Sequence, residues 1–232
     1  MRRLLLTGLL LLAVALGVTG GYFTGDRLDT PSATPSGNAA PLGEVSPSEP
    51  SLPVKTPVPS NVPALETGLD YERHTFTVTP KGQPSVQLSI QTPDGWRLTR
   101  DPQAPGEVKF LDKLRERGVR VEADQPPTQT PADASAKLVV DLKQSQDPEN
   151  DLRIVSQTDD QIEGDDGTTR TVSTLIYTYI PNKTLRYVIV RWIATGDDGL
   201  TTIEMSITGL PQDAPALDEV LLNATRSVHE TG

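Results

Sequence analysis

The sequence predicts an α+β protein in which a mostly antiparallel sheet lies between two helices, preceded by a transmembrane helix and a disordered linker. Three features of the 232 residues support this prediction. An uncharged apolar run follows the N-terminus, a proline-rich stretch comes next, and from about residue 68 the apolar residues follow strand and helix periods. We therefore divide the chain into an anchor or signal (1–23), a linker (24–67) and an extracytoplasmic domain (68–232).

The first segment has the features of a membrane anchor. Arg2 and Arg3 precede the uncharged run Leu4–Phe23, which as a helix would be about 30 Å long, the thickness of a bilayer's hydrocarbon core. Because positive charge stays on the cytoplasmic side, we expect a single-pass protein of the cell membrane with its C-terminal domain outside the cytoplasm. The alternative is secretion after cleavage, because Ala13-Val14-Ala15 resembles a signal-peptidase site. The apolar run continues past that triplet, which favours the anchor.

Residues 24–67 have the composition of a disordered spacer. Nine of the chain's 21 prolines lie between Pro31 and Pro63, and Ser, Thr, Gly and Ala occupy most other positions. Such a segment cannot bury enough apolar surface to offset the entropy lost on ordering. We expect polyproline II character and a spacer that holds the domain away from the membrane.

Composition excludes several classes of function. The chain has 21 Lys and Arg against 31 Asp and Glu, a formal net charge of -10. This charge would repel the phosphates of nucleic acid, so we expect no nucleic-acid partner. The absence of Cys excludes thiol catalysis, thiolate zinc sites, disulfides and a lipid-modified cysteine. Two histidines, His74 and His229, are too few for a multi-histidine metal site.

Strands are expected where apolar residues alternate with polar ones or fill both faces. The two stretches 168–180 and 185–194 are apolar on both faces, which is typical of strands in a sheet covered on both sides. Turns rich in Gly, Asn, Asp and Pro join neighbouring strands into hairpins. The predicted strands are Tyr71–Thr79, Ser85–Thr92, Glu107–Leu111, Val119–Ala123, Leu152–Thr158, Thr168–Ile180, Leu185–Ala194 and Leu200–Thr208.

Two helices interrupt this order, one after the fourth strand and one after the eighth. Thr130 can cap a helix whose first residue is Pro131, and the apolar stripe continues to about Gln146. The last helix is predicted from about Pro215 to Val228, where apolar residues recur at helical spacing. The order is therefore four strands, a helix, four strands and a helix.

A resemblance to a known family rests on this order and on one short motif. The hairpin that leads into Thr92-Pro93-Asp94-Gly95-Trp96, the middle helix, three long strands and the C-terminal helix resemble the PsbP-like α/β/α sandwich. Over roughly residues 70 to 230 the chain is most similar to actinobacterial envelope proteins of the lipoprotein LpqN type. The resemblance implies a non-catalytic domain that docks on partners. Because the chain has no Cys, Leu4–Phe23 would replace the lipid anchor. A shared fold carries no functional residue across, so none is transferred.

No known catalytic or cofactor-binding motif is present. The sequence lacks Gly-x-Ser-x-Gly, His-Glu-x-x-His, a phosphate loop and a dinucleotide fingerprint. His74 lies on the apolar face of a predicted strand, and His229 lies in the last turn of the last helix. We therefore predict no catalytic residue, no cofactor, no metal and no enzymatic activity.

The acidic run Asp159–Gly167 was compared with a calcium loop. In an EF-hand that began at Asp159, the third position would be Gln161 and the twelfth Arg170, so the bidentate Glu is missing. A solvated hairpin turn is favoured, and weak calcium binding stays a hypothesis.

The segment from Lys109 to Arg120 is a basic exception in an acidic domain. It could be a solvated connection with internal ion pairs, or a docking patch for an anionic envelope polymer or lipid headgroup. Trp96 follows a turn and could anchor a partner or close one end of the core. The candidate partner-binding residues are Trp96, Lys109, Lys113, Arg115, Arg117 and Arg120.

The expected function is that of a non-catalytic, membrane-tethered binding or scaffold domain of the cell envelope, with an envelope protein as its partner. Two alternatives remain open. A lipid or small-molecule carrier would need an apolar cavity. A hydrolase of unrecognised type would need titratable groups that converge in a cleft.

Overall fold

The computed structural model describes residues 53–124 and 126–231. The predicted anchor Leu4–Phe23 and most of the predicted linker lie outside these residues. Within them, no helix has the length and the apolar content needed to cross a bilayer.

The described part contains ten strands and two α-helices. The strands are β1 (Tyr71–Val78), β2 (Val86–Pro93), β3 (Arg97–Thr99), β4 (Glu107–Leu111), β5 (Gly118–Ala123), β6 (Arg153–Glu163), β7 (Thr169–Tyr179), β8 (Arg186–Ala194), β9 (Ile203–Gly209) and β10 (His229–Glu230). The helices are α1 (Pro131–Ser145), between β5 and β6, and α2 (Ala214–Ser227), between β9 and β10. The predicted α+β class is confirmed.

The strands form two antiparallel sheets, and the prediction of one sheet is corrected. A long sheet has the order β3-β4-β5-β9-β8-β7-β6, and a small sheet has the order β1-β2-β10. The first hairpin stays out of the long sheet because its strand β2 pairs with the C-terminal strand, with His229 opposite Ser89. That pairing joins segments far apart in sequence, and two residues are too few for a periodic signal.

Both faces of the long sheet are covered, as the apolar pattern of β7 and β8 predicts. On one face Leu175, Val190 and Trp192 pack with Ala134 and Leu142 of α1. On the other face, a second cluster combines β8 and β9 with α2 and the small sheet; its members include Ile189, Ile207, Leu217, Val220, Leu88 and Phe76. Full burial of each such side chain stabilises the fold by about 1.5–3 kcal/mol.

The ends of the helices follow the predicted signals. The Thr130 hydroxyl accepts a hydrogen bond from the Asp133 N–H at 3.2 Å, Pro131 occupies the first turn, and Gln146 ends α1. Helix α2 begins at Ala214, directly after the 3-10 turn Pro211–Asp213, so its start lies one residue before the predicted one.

Residues 54–67, named the strap here, lie against one end of the long sheet. The Lys55 N–H donates to the Glu149 carbonyl at 2.8 Å, and the Val58 N–H donates to the Lys183 carbonyl at 2.7 Å. Further along, the Leu65 N–H donates to Asp213 Oδ1 at 2.8 Å. The C-terminal part of the predicted linker is therefore bound to the domain, because its backbone groups find partners there. Where the linker begins stays a prediction.

Candidate functional site

The turn between β4 and β5 is held in one conformation by Asp112. Asp112 Oδ1 accepts hydrogen bonds from the Glu116 N–H at 2.8 Å and the Arg117 N–H at 3.2 Å. The Asp112 carbonyl accepts a third from the Arg115 N–H at 3.1 Å. Arg115 has φ +58°, in the left-handed region that non-glycine residues rarely adopt. These bonds compensate for that conformation and fix the direction in which the turn projects.

The turn presents two cations around an apolar side chain. Lys113, Leu114 and Arg115, named the hairpin tip here, are exposed, and Leu114 is 57% exposed. Neither cation has an ion pair in the described part of the chain. The adjacent acids are already paired, Asp112 with Arg117 at 3.4 Å and Glu116 with Arg186 at 2.7 Å. The hairpin tip therefore carries an uncompensated charge of about +2.

Arg117 is buried in an internal ion pair. Its Nε and NH2 donate to the two oxygens of Asp213, both at 2.8 Å, and NH2 also donates to the Pro63 carbonyl of the strap. Burial alone would raise the pKa of the Asp213 carboxyl. Hydrogen bonds from Arg117 and from the backbone N–H groups of Leu65 and Leu210 outweigh burial and lower that pKa. Arg117 thus connects the β4–β5 turn, the strap and the start of α2, and has little surface left for a partner.

Arg120 and Lys109 also point to internal partners. Arg120, Glu107, Glu122 and Glu204, named the Arg120 cluster here, lie on one face of β4, β5 and β9, where Glu122 is opposite both Glu107 and Glu204. Arg120 NH1 donates to Glu122 Oε2 at 2.7 Å and to Glu107 Oε2 at 3.0 Å, and NH2 donates to Glu204. Lys109 Nζ is 3.1 Å from Glu107 Oε1.

Burial raises the pKa of two carboxyl groups in and beside the Arg120 cluster. Burial raises the pKa of Glu122 to about 7, with Glu204 and Glu107 adding to the rise and Arg120 opposing it. Burial also raises the pKa of Asp124, at the end of β5, to about 6, with a smaller contribution from Glu204. A carboxyl pKa raised towards neutral pH is the property that a general acid or base requires.

Trp96 lies in the core. Its backbone N–H donates to the Pro93 carbonyl at 3.2 Å, in a turn where Gly95 has φ +75°. The side chain is 7% exposed and packs in the cluster between the long sheet and α2. Of the two roles considered for Trp96, this placement favours the one that closes the core.

A cavity of about 350 Å³ lies at the opposite end of the long sheet from the strap. It is lined by charged residues that include Arg73 of β1, Arg170 of β7, Arg226 of α2 and the turn residues Asp165 and Asp166. Sequence reasoning missed this site because its cations come from three separate segments. The only signal was the acidic turn, which was interpreted as solvated.

The acidic run 159–167 is divided between β6 and the turn that follows it. Asp166 Oδ1 accepts from the Thr168 hydroxyl at 2.7 Å, and Oδ2 accepts from Arg170 NH2 at 3.1 Å. The hydrogen bonds from Thr168, followed by Arg170, lower the pKa of Asp166 to about 2. No group of three potential metal-ligating side chains occurs within the described ranges. Weak calcium binding stays a hypothesis.

Neither histidine is placed as a catalytic base. The His74 ring packs on Phe110, with 4.8 Å between ring centroids, and its Nε2 is 3.3 Å from Glu72 Oε1. His229 Nδ1 lies 2.9 Å from the Ser227 carbonyl, so it donates to that oxygen. In the part of the chain that the structure describes, neither ring hydrogen bonds to a hydroxyl group.

Comparisons with known proteins identify no family. No protein-family model and no curated protein matches the sequence. Among solved structures, the chain is similar to the Ran-binding protein Mog1p of Saccharomyces cerevisiae, with a TM-score of 0.43 and 13% sequence identity. The similarity covers 68% of this chain and 96% of that chain. The functional interpretation therefore rests on the geometry of the site.

Proposed function

We propose that the protein is a non-catalytic, membrane-tethered binding domain of the cell envelope, which contacts an acidic surface of an envelope protein through the hairpin tip. One observation carries the proposal: Lys113 and Arg115 flank the exposed Leu114 in a fixed turn, and neither cation is paired within the described residues. An apolar side chain between two unpaired cations suits a small contact with an acidic partner.

The hairpin tip lies at the end of the long sheet where the chain enters the domain. Gly118 at the start of β5 is opposite Thr208 near the end of β9, so the β4–β5 turn lies at the same end of the long sheet as residues 210–213. The strap reaches this end too, through Leu65 and Asp213. The chain thus arrives from the proposed anchor at the end that carries the hairpin tip. A partner held in the same membrane would meet the hairpin tip at a raised local concentration, so a weak contact would suffice.

The resemblance to PsbP-like domains, and within them to envelope proteins of the LpqN type, supports the same proposal. That resemblance implies docking without catalysis, and the anchor Leu4–Phe23 would take the place of the lipid in this chain. The finer family assignment is part of the proposal.

In-cell photo-crosslinking of the full-length protein tests it. A photoreactive residue in place of Leu114 is compared with one in place of Val140, which is 51% exposed on α1. We expect a reproducible protein adduct, identified by mass spectrometry, from position 114 alone. Adducts with lipid only would make the membrane the partner in place of a protein. Equal adducts from the two positions, or none from position 114, would overturn the proposal.

Charge reversal supplies the matched control. Lys113→Glu with Arg115→Glu should reduce the adduct from position 114 by about tenfold, because like charges would then face each other. Lys81→Glu with Lys143→Glu changes the net charge equally at exposed positions elsewhere and should leave the adduct unchanged. Equal losses from the two pairs would indicate an effect of net charge and remove the specific role of the tip.

A hydrolase is the second candidate, because the raised pKa values of Glu122 and Asp124 are typical of acid–base catalysts. The ion pairs of Arg120 oppose this reading, since they hold three carboxylates away from a substrate. Assays of the purified protein with chromogenic ester, phosphate and glycoside substrates test it. Turnover that Glu122→Gln abolishes would support the hydrolase. The absence of such turnover would favour the binding domain over the hydrolase.

A lipid carrier is less well supported. The cavity that the structure describes beside the β6–β7 turn is lined by charged residues, which does not favour an apolar cargo.

A further inference from the structure

We propose that the cavity beside the β6–β7 turn binds a phosphate group, held by Arg73 and Arg226 at its rim and by Arg170 at its floor. The site lies at the opposite end of the long sheet from the hairpin tip, and nothing in the proposed function assigns it. Its volume of about 350 Å³ falls within the range of about 300–1,000 Å³ typical of small-molecule sites. A phosphate together with part of the group that carries it would fit.

The floor of the cavity is the buried cation Arg170. Arg170 is 2% exposed, although a buried charge is unfavourable unless it is paired and hydrogen-bonded. Its NH1 donates to the Thr225 carbonyl at the C-terminal end of α2, and its NH2 donates to Asp166 Oδ2 at 3.1 Å. Its Nε has no partner in the described part of the chain. This Nε is fully buried against Gly164, where a Cβ would lie 2.7 Å from it. Arg170 therefore contributes its positive charge to the floor of the cavity, and the donors that can reach a ligand are those of the rim.

The rim has two guanidinium groups that share one loosely held carboxylate. Arg73 NH2 is 3.9 Å from Asp165 Oδ2, and Arg226 Nε is 3.6 Å from Asp165 Oδ1. Both distances exceed that of a hydrogen bond. Arg73 NH1 donates to the buried Ser89 hydroxyl at 3.3 Å. The three rim side chains are all about half-exposed, so Asp165 can turn to solvent and leave both arginines to a ligand.

The charge and the geometry favour a phosphate over a carboxylate. Three arginines face two aspartates, which leaves a surplus of one positive charge in a chain of net charge -10. Asp166 is already satisfied by Thr168 and Arg170. A carboxylate offers two oxygens in one plane and would only replace Asp165. A tetrahedral phosphate offers oxygens on several sides, which suits guanidinium donors that approach from β1 and α2 over the buried charge of Arg170.

Calorimetric titration of the full-length protein in a neutral detergent, with inorganic phosphate, glycerol 3-phosphate and acetate in turn, tests the site. We expect saturable binding of phosphate and much weaker binding of acetate. Tighter binding of glycerol 3-phosphate than of phosphate would identify a phosphate ester as the ligand, and equal binding would identify free phosphate. Acetate binding as tight as phosphate binding, or no saturation with millimolar phosphate, would overturn the proposal.

Two variants separate binding from folding. Arg73→Gln with Arg226→Gln should weaken phosphate binding by about tenfold or more, whereas the exposed Arg97→Gln should not. Asp165→Asn removes the competing carboxylate and should tighten phosphate binding, which the loss of a merely structural residue would not do. Thermal unfolding of each variant verifies that it is folded. Unchanged affinity in the double variant, or weaker binding in Asp165→Asn, would contradict the assigned roles. Because the crosslinking experiment probes the other end of the sheet, the two proposals can fail separately.

Discussion

Arg120 shows how a single side chain decides the chemistry of its neighbours. It donates to Glu107 and Glu122 and also to Glu204, whose second oxygen accepts the Trp192 indole N–H at 2.9 Å. Three acids therefore share one cation, with Lys109 paired to Glu107 as a second. Burial together with the two neighbouring acids raises the pKa of Glu122 from 4.5 to about 7, although Arg120 opposes this rise.

This raised pKa predicts how stability depends on pH. Between pH 4.5 and about 7 the folded protein binds a proton at Glu122 that the unfolded chain has released, so the free energy of unfolding falls as pH rises through this window. Glu122→Gln should flatten that slope, and the exposed Glu66→Gln should not. Urea unfolding followed at several pH values measures both. Equal slopes in Glu122→Gln and wild type would show that Glu122 titrates normally in the folded state.

The basic residues of the β4–β5 hairpin show which contacts the sequence can predict and which it cannot. The basic stretch 109–120 was recognised, and two of its members, Lys113 and Arg115, are exposed in a fixed turn. Internal ion pairs were one of the two interpretations of this stretch, and Arg117 and Arg120 have them. Their distant partners Asp213 and Glu204 could not be foreseen, because they are more than eighty positions away. A pattern within one strand contains no information on which distant strand lies beside it.

Among the elements, those with strong local periodicity were predictable and those defined by pairing were not. Strand β9 alternates as predicted, and the cap of α1 is the one predicted from Thr130. The three-residue β3 and the two-residue β10 are too short to show a periodic pattern of apolar residues. Without β10, the separation of the small sheet from the long one could not be inferred.

The helix α2 permits a comparison on one element. Leu217 is fully buried between α2 and the long sheet, whereas Leu222 on the same helix is 46% exposed. Leu217→Ala should lower the free energy of unfolding by about 2–5 kcal/mol, because it leaves a cavity in the core. Leu222→Ala should change it by no more than about 0.5 kcal/mol. Urea denaturation of the two variants checks the burial, and equal effects would contradict the packing of α2.

At the scale of the whole domain, the folded unit includes the strap as well as the strands and helices. Asp213, fully buried, accepts from Leu65 of the strap, from Leu210 and from Arg117. The strap thus completes the hydrogen bonding of a buried carboxylate that also fixes the start of α2. Composition alone predicts disorder for these residues, because the amino-acid composition of a segment does not reveal a contact with a carboxylate far away in the sequence.

Removal of the strap should destabilise the domain. We expect a chain of residues 68–232 to have a free energy of unfolding about 1–3 kcal/mol lower than a chain of residues 54–232. It should therefore unfold at a lower urea concentration. The cause is that Asp213 would lose the Leu65 N–H and Arg117 would lose the Pro63 carbonyl. Lys55→Ala, which removes only an ion pair with Glu149 and hydrogen bonds near the strap's start, should cost less. Identical urea midpoints for the two chains would show that the strap contacts add no stability.

The strap also determines where a pulling force is applied. The chain reaches the domain at Lys55, and the backbone bonds of Lys55 and Val58 bear tension before any strand does. Peeling residues 54–67 from the sheet end would free a segment whose fully extended length is about 45–50 Å before Tyr71, the first residue of β1, is loaded. If the proposed partner and the proposed anchor moved apart, the strap would lengthen and limit the force, and both sheets would stay intact.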